Sequence, residues 1–183
     1  MISSVRARLR TFKQDRRGVS AVEFALLSPL MIALYLGGVE ISDGIGMDRK
    51  VTLTTGAIAN VAAQTASISS TDMTDMLKAG TTVMAPYSTA PLTITISCLK
   101  IDGNKVAKVK WSETKNGTKR GTNTTVTIPS ALAVANTQLL FSEVSYTYTP
   151  IFAHIITGTL TLSDKMYMSP RISAPTYGTT TCT

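Results

Sequence analysis

The chain has 183 residues, of which 44% are hydrophobic and 16% are charged. This length and composition fit one domain with a hydrophobic core plus one extra element, and they exclude a disordered or collagen-like chain. The formal charge is +7, but residues 1–18 hold six basic residues and one acidic residue, so twelve basic and ten acidic residues remain in the rest of the chain. The positive excess is therefore a short N-terminal tag, and we expect no nucleic-acid partner.

An apolar run comes directly after the basic tag. Residues 19–39 contain one ionisable side chain, Glu23, and as a helix they would extend about 30 Å, the thickness of the hydrocarbon core of a bilayer. The basic residues before the run place the N-terminus in the cytoplasm and everything after about residue 40 outside. The sequence thus predicts a single transmembrane helix over residues 19–39 and an extracytoplasmic domain over residues 40–183.

Three kinds of segment share these features: a secretory signal peptide, an unprocessed signal anchor, and a prepilin-type segment that is cut before the apolar run. Residues 37–43 are a poor match to the small-x-small site of a signal peptide. Glu23 within a spanning helix costs about 2–3 kcal/mol. Its side chain either snorkels to the cytoplasmic headgroups or pairs with a specific cation.

Residues 16–24, RRGVSAVEF, resemble the type IV prepilin signal, in which a membrane aspartyl protease cuts after glycine and the mature chain carries glutamate at its fifth position. Glutamate followed by phenylalanine, and the Ser28-Pro29 pair, are similar to the TadE-like pseudopilins of the tight-adherence (Flp) pilus system. The resemblance extends weakly to residues 144–150 and 169–171. It implies a basic leader over residues 1–18 and cleavage between Gly18 and Val19.

Cleavage would create a new α-amino group at Val19, with a pKa near 8, which can pair with a carboxylate in a low-dielectric setting. This cation supplies the partner that Glu23 needs. The resemblance implies that Glu23, with Phe24 beside it, registers an incoming subunit against a neighbour during assembly. It also implies a pilin-like fold and a bacterial inner-membrane location at the base of a pilus or within it.

The implied partners are the inner membrane, a prepilin peptidase, other pilins or pseudopilins and the pilus assembly machinery. The implied function is that of a minor pseudopilin or assembly factor supporting surface adhesion. We expect no cofactor, no metal and no small-molecule substrate.

Two local features of the helix are predicted from composition. Pro29 removes the backbone hydrogen bond to the carbonyl of Ala25, so we expect a kink there. Four glycines around the bilayer exit predict a place where the helix breaks: Gly37, Gly38, Gly44 and Gly46.

The exported part has an α+β order. A helical stripe is predicted over about residues 47–67, comprising Met47, Val51, Ile58, Val61, Ala62 and Thr65. A short helix comes next, with its cap at residues 70–72 and its end at Gly80. Alternating residues then predict four or five strands in an antiparallel meander, with Ala107, Val109 and Trp111 sharing one face of the second strand.

Two cysteines in an extracytoplasmic domain make a disulfide the default interpretation, and Cys98 with Cys182 is the sole intrachain pairing. The alternative is a buried Cys98 thiol, with Cys182 free in a polar, loose tail over residues 173–183.

Catalytic motifs are missing from the sequence. His154 is the single histidine, and the ten acidic residues after residue 18 are scattered, so we expect no catalytic residues and no enzyme activity. Two rival hypotheses stay open. An unprocessed, signal-anchored periplasmic interaction domain would tolerate replacement of Gly18 and Glu23. An exported enzyme would need a concave polar site, for example around His154.

Overall fold

The fold begins with one long helix and continues with a sheet. The structure, a computed structural model, describes residues 18–150 and 158–183. The helices are α1 (Val19–Ala63) and α2 (Ser70–Val83), with a short 3-10 turn at Ser130–Leu132. The strands are β1 (Ser67–Ile68), β2 (Leu92–Ile101), β3 (Ala107–Lys115), β4 (Thr125–Val126), β5 (Gln138–Tyr148), β6 (Leu160–Met168), β7 (Thr176–Tyr177) and β8 (Thr180–Thr181).

The predicted α+β class, with a long N-terminal helix before a five-stranded antiparallel sheet, is confirmed. Two regions that the sequence singled out lie outside the described residues. They are the basic tag before Gly18 and the apolar loop that contains His154.

The strand order of the main sheet is β4-β3-β2-β5-β6, and every neighbouring pair is antiparallel. The predicted meander is wrong, because β5 comes after β4 in the chain but pairs with the opposite side of β2. This connection makes β2 the central strand. The strand was expected to be half-buried, but Thr95 and Ser97 are buried too, and their hydroxyls bond Thr114 and Ser112 of β3.

Helix α1 runs for 45 residues without interruption. The predicted break at the glycines around the bilayer exit is therefore wrong, and no separate helix begins near residue 47. The physical reason is packing: Gly44 lies under the ring of Tyr148, and the hydroxyl of Tyr87 approaches Gly46 so closely that a Cβ there would lie 3.2 Å from it. Contact with the sheet offsets the helix-breaking tendency of glycine.

The C-terminal half of α1 packs on the inner face of the sheet, mainly on β5 and β6. The predicted stripe is confirmed for four residues, because Met47, Val51, Ile58 and Ala62 are each at most 2% exposed. Val61 was predicted to share this stripe, but it is 45% exposed. Helix α2 and the inner rows of β2 and β5 complete the core.

Helix α2 begins and ends at other residues than predicted. Its N-cap is Ser69, which forms a reciprocal capping box with Asp72, and the helix passes through Gly80 to end at Val83. Gly80 does not stop the helix because it lies where α2 approaches α1. A Cβ at Gly80 would lie 2.5 Å from Cδ1 of Ile58. The absence of a Cβ at position 80 thus permits this close approach of the two helices without displacing Ile58.

Strand β3 changes face at a register shift opposite Cys98 and Leu99 of β2, where Cys98 pairs with Trp111 but Leu99 pairs with Val109. The predicted common face of Ala107, Val109 and Trp111 is therefore wrong. Trp111 belongs to the inner core and contacts the C-terminal tail at Tyr177, whereas Ala107 and Val109 belong to a second apolar cluster on the outer face. An extra residue in one strand of an antiparallel pair has this effect.

The C-terminal tail forms regular structure and packs next to the C-terminal end of α1. Cys98 and Cys182 form a disulfide, with Cα atoms 6.0 Å apart, so the favoured pairing is confirmed. The tail was expected to be loose apart from Cys182. Instead β7 pairs in parallel with β1 and in antiparallel with β8, and Trp111 donates its indole N–H to the carbonyl of Pro175.

We predict that Gly80→Ala lowers the free energy of unfolding by about 1–3 kcal/mol, because the added methyl group overpacks the contact between α1 and α2. Thermal and urea denaturation of the detergent-solubilised chain measures the change. Ile58→Val removes the atom nearest to the added methyl group, so the double variant should lose less stability than the two single changes together. Strict additivity of the two changes would contradict the packing explanation.

Candidate functional site

The first half of α1 presents apolar side chains on every side. One 18-residue window of the helix has a mean hydropathy of 1.9, and none of that window is buried. Large exposed side chains include Phe24 at 71%, Leu26 at 73% and Tyr35 at 72%. A helix that is apolar all round and is left uncovered by the described part of its own chain is suited to a lipid environment. Helix α1 is long and apolar enough to cross a bilayer, and this suggests membrane anchoring.

The predicted cleavage bond lies at the boundary of this helix. Gly18 is the N-cap residue and Val19 is the first helical residue. Among the described residues, no side chain caps this end, and the first turn contains no acidic residue. Within the described residues, the N-terminus of α1 is therefore a cluster of backbone N–H groups without a side-chain partner, at the positive end of the helix dipole.

Glu23 and Phe24 lie on the exposed part of α1. Residues four apart lie on the same side of a helix, so Glu23 shares a face with Val19. Pro29 lies inside α1, and the helix assignment continues through it. The expected kink at Pro29 stays a prediction.

Farther along α1, a carboxylate connects the helix to the sheet and to the segment after α2. Asp43 accepts a hydrogen bond of 2.9 Å from the hydroxyl of Tyr87 and one of 3.2 Å from the hydroxyl of Tyr148. The two phenols come from different parts of the chain, so Asp43 fixes both to one turn of the helix. We call Asp43, Tyr87 and Tyr148 the exit cluster.

Side chains in and next to the exit cluster are buried. The side chain of Tyr148 is 3% exposed, and Glu40, one turn before Asp43, is 2% exposed. Burial raises the pKa of Tyr148 to about 12, and the hydrogen bond to Asp43 and the charges of Asp43 and Glu40 act in the same direction. The pKa of Tyr87 is also raised, by burial first and then by Asp43. Both phenols therefore stay protonated donors over the physiological pH range.

The sequence did not indicate the exit cluster. Its members are separated by 44 and 105 positions along the chain, so no local spacing brings them together. The sequence offered only a weak signal, since Tyr35 lies just before the predicted bilayer exit and Glu40 and Asp43 follow it, in the region where aromatic side chains concentrate.

The sheet holds ion pairs rather than a reactive site, with Glu143 on the outer face and Glu113 on the face that packs on α2. Glu143 pairs with Arg120 and, at 3.6 Å, with Lys165, while Glu113 pairs with Lys119 at 2.7 Å. Burial alone would raise the pKa of Glu113, but hydrogen bonds from Lys119 and Tyr177 outweigh it and hold this pKa below its usual value. Over residues 18–150 and 158–183, no three His, Cys, Asp or Glu side chains gather as metal ligands would.

Residues 18–57 match the family model described as TadE-like protein. The matched segment begins at Gly18 and includes Glu23, Phe24, Pro29 and Asp43, so the resemblance indicated by the N-terminal motif is confirmed. Neither the curated proteins nor the solved structures contain a match to this chain. The match ends within α1, so the sheet carries no family information of its own.

We predict that Tyr148→Phe destabilises the fold by about 1 kcal/mol at neutral pH, because Asp43 loses one of its two donors. The deficit relative to the native chain should shrink as the pH rises from 10 towards about 12. Over that interval the unfolded chain ionises its tyrosine while the folded chain holds Tyr148 protonated, so the native chain loses the stability that Tyr148 contributes.

Urea denaturation at a series of pH values measures this difference. Tyr35→Phe is the matched control, because the Tyr35 side chain is exposed and lies on the lipid-facing part of α1. A Tyr148→Phe deficit that stays constant up to pH 12 would contradict the proposed hydrogen bond.

Proposed function

We propose that this chain is a minor pseudopilin or assembly factor of a tight-adherence (Flp, type IV) pilus that supports surface adhesion. The observation that carries the proposal is the family match over residues 18–57, which starts at the proposed cleavage site. A prepilin peptidase cuts after Gly18, residues 1–18 are the leader, and residues 19–39 span the inner membrane. Residues 40–183 form the periplasmic domain. The role is structural, without catalysis of its own.

The geometry of the N-terminus supports the cleavage. Gly18 is the N-cap residue at the very end of α1, with helical backbone angles (φ −82°, ψ −14°), so only this end of the helix has to unwind for the bond after Gly18 to enter a protease cleft. Glycine, which lacks a Cβ, suits an extended chain in a narrow cleft. Hydrolysis leaves the new amino group of Val19 at the first position of α1, next to the positive end of the helix dipole.

The same geometry supports an assembly role for Glu23. The new N-terminus combines an ammonium group with unsatisfied backbone N–H groups, and α1 provides no acidic residue in its first turn to compensate them. Glu23 is exposed on the helix surface. The carboxylate of Glu23 in one subunit can pair with the N-terminus of its neighbour, where the low dielectric of the bilayer strengthens the attraction. Phe24 adds apolar contact beside this pair.

Because α1 is continuous, it can connect the membrane mechanically to the sheet. A 45-residue helix is about 68 Å long, enough to cross the hydrocarbon core and to extend along the sheet. The periplasmic domain is fixed to it by the core stripe and by the exit cluster. Any movement of the transmembrane half during assembly is therefore passed to the domain.

We predict that Glu23→Gln leaves cleavage after Gly18 intact but removes most surface pili and surface attachment. The substitution keeps the size of the side chain and removes its charge. Loss of one partner from an ion pair in a low-dielectric setting costs about 3–5 kcal/mol, because the other charge stays uncompensated. The measurements are the mass of the membrane-extracted protein, the amount of sheared pili and the adhesion of cells that carry the pilus system.

Glu23→Asp is the matched control, since it keeps the charge and should retain part of the assembly. Normal piliation with Glu23→Gln would contradict the assembly role. Together with an uncut leader, that result would favour the unprocessed, signal-anchored interaction domain.

A further inference from the structure

A groove lies on α1 where the helix leaves the bilayer, on the side that carries Tyr87. It is shallow and wide open to the surroundings, with a volume of about 670 Å³. Its lower walls are apolar or small side chains of the helix, namely Leu34, Tyr35, Gly38 and Val39. Its upper end is polar and consists of Ser42, Asp43 and Tyr87. The groove thus changes from apolar to polar along the helix axis.

This change of polarity falls at the surface of the bilayer. Counting from Val19 at the inner boundary of the hydrocarbon core, the helical rise places Val39 about 30 Å away, at the opposite boundary. Asp43 then lies about 36 Å away, within the headgroup layer, while Leu34 lies about 22 Å away, among the acyl chains. An amphiphile of the bilayer meets each part of the groove at the depth that matches its own polarity.

The charge of the polar end selects the headgroup. Asp43 is a carboxylate whose two oxygens accept hydrogen bonds from neutral phenols, and no cationic side chain of the described residues pairs with it. Tyr87 lines the same end and donates its hydroxyl to Asp43, so it adds no positive charge there. An ammonium group complements this end, whereas an anionic headgroup would meet a like charge.

We infer that the groove binds phosphatidylethanolamine of the leaflet on the side of the sheet, with its ammonium group at Asp43 and its upper acyl chain along Leu34 and Val39. A primary ammonium group can donate a hydrogen bond to Asp43, and the quaternary ammonium group of phosphatidylcholine cannot. The bound lipid would hold α1 at a defined depth. This inference rests on the membrane anchoring of α1 and requires neither cleavage nor pilus assembly.

The test is retention of lipid by the full-length protein in detergent micelles, measured by native mass spectrometry after incubation with phosphatidylethanolamine, phosphatidylcholine or phosphatidylglycerol at equal concentrations. We expect phosphatidylethanolamine to be retained most and phosphatidylglycerol least. Asp43→Asn keeps the acceptor oxygen for one tyrosine and removes the charge, so it should weaken retention of phosphatidylethanolamine about tenfold. Asp48→Asn is the matched control, because Asp48 is an exposed carboxylate of α1 outside the groove, and it should change nothing.

A second variant leaves the exit cluster intact. Gly38→Leu fills the apolar part of the groove, and a Cβ at Gly38 meets no atom within 4 Å, so the helix accommodates it. This variant should melt at the native temperature and lose the lipid. Equal retention of the three lipids, or unchanged retention by both Asp43→Asn and Gly38→Leu, would overturn the inference.

Two further outcomes are informative. A wild-type dimer that retains no lipid and that Gly38→Leu dissociates would overturn the lipid site and assign the groove to a second copy of α1. A chain that fails to sediment with membranes would overturn the anchoring together with the lipid site. A membrane-bound chain with no lipid preference would overturn the lipid site alone.

Discussion

Helix α1 joins an uncovered apolar half and a half that packs on the sheet along one continuous backbone, and the rest of the structure depends on that continuity. Its first half is apolar on every side and exposed. Its second half carries one narrow stripe of small and apolar residues, which is covered by β5, β6 and α2. A helix in lipid keeps all its backbone hydrogen bonds internally, and a helix on a sheet needs only one apolar face. The chain changes from one arrangement to the other without breaking the helix.

The exit cluster occupies the point of this change. Asp43 receives hydrogen bonds from a tyrosine of β5 and from a tyrosine of the segment after α2, so the domain holds the helix directly after its exposed apolar half. At the other end, the backbone N–H of Arg171 donates to the last helical carbonyl, that of Ala63. The disulfide between Cys98 and Cys182 ties the same tail to the central strand. Both ends of the packed half of α1 are thus fixed to the sheet, which makes the domain and the helix one mechanical unit.

Features that local chemistry determines could be predicted from the sequence, and features that distant residues determine could not. The apolar run, the α+β order, the disulfide and most of the α1 stripe were readable because each depends on composition or period. The helix break predicted at the four glycines is wrong, because the low helix propensity of glycine carries no information about Tyr87 and Tyr148, which pack against two of them. The helix end predicted at Gly80 is wrong for the same reason, because Ile58, which packs against Gly80, is far away in the chain. The face of the sheet on which Trp111 lies depends on a single extra residue in β3. The alternation of apolar and polar residues in the sequence cannot locate that extra residue.

The same distinction between local and distant residues applies to the candidate site. Gly18, Val19, Glu23 and Phe24 form a contiguous motif and could be named from the sequence, whereas the exit cluster combines three distant segments and could not. The central claim is that the chain is cut after Gly18, and it is tested most directly by the N-terminal sequence and mass of the membrane-extracted protein from cells with and without prepilin peptidase. We predict a chain that starts at Val19 only when the peptidase is present. A leader that persists in both cells, or a cut beyond residue 36, would contradict it.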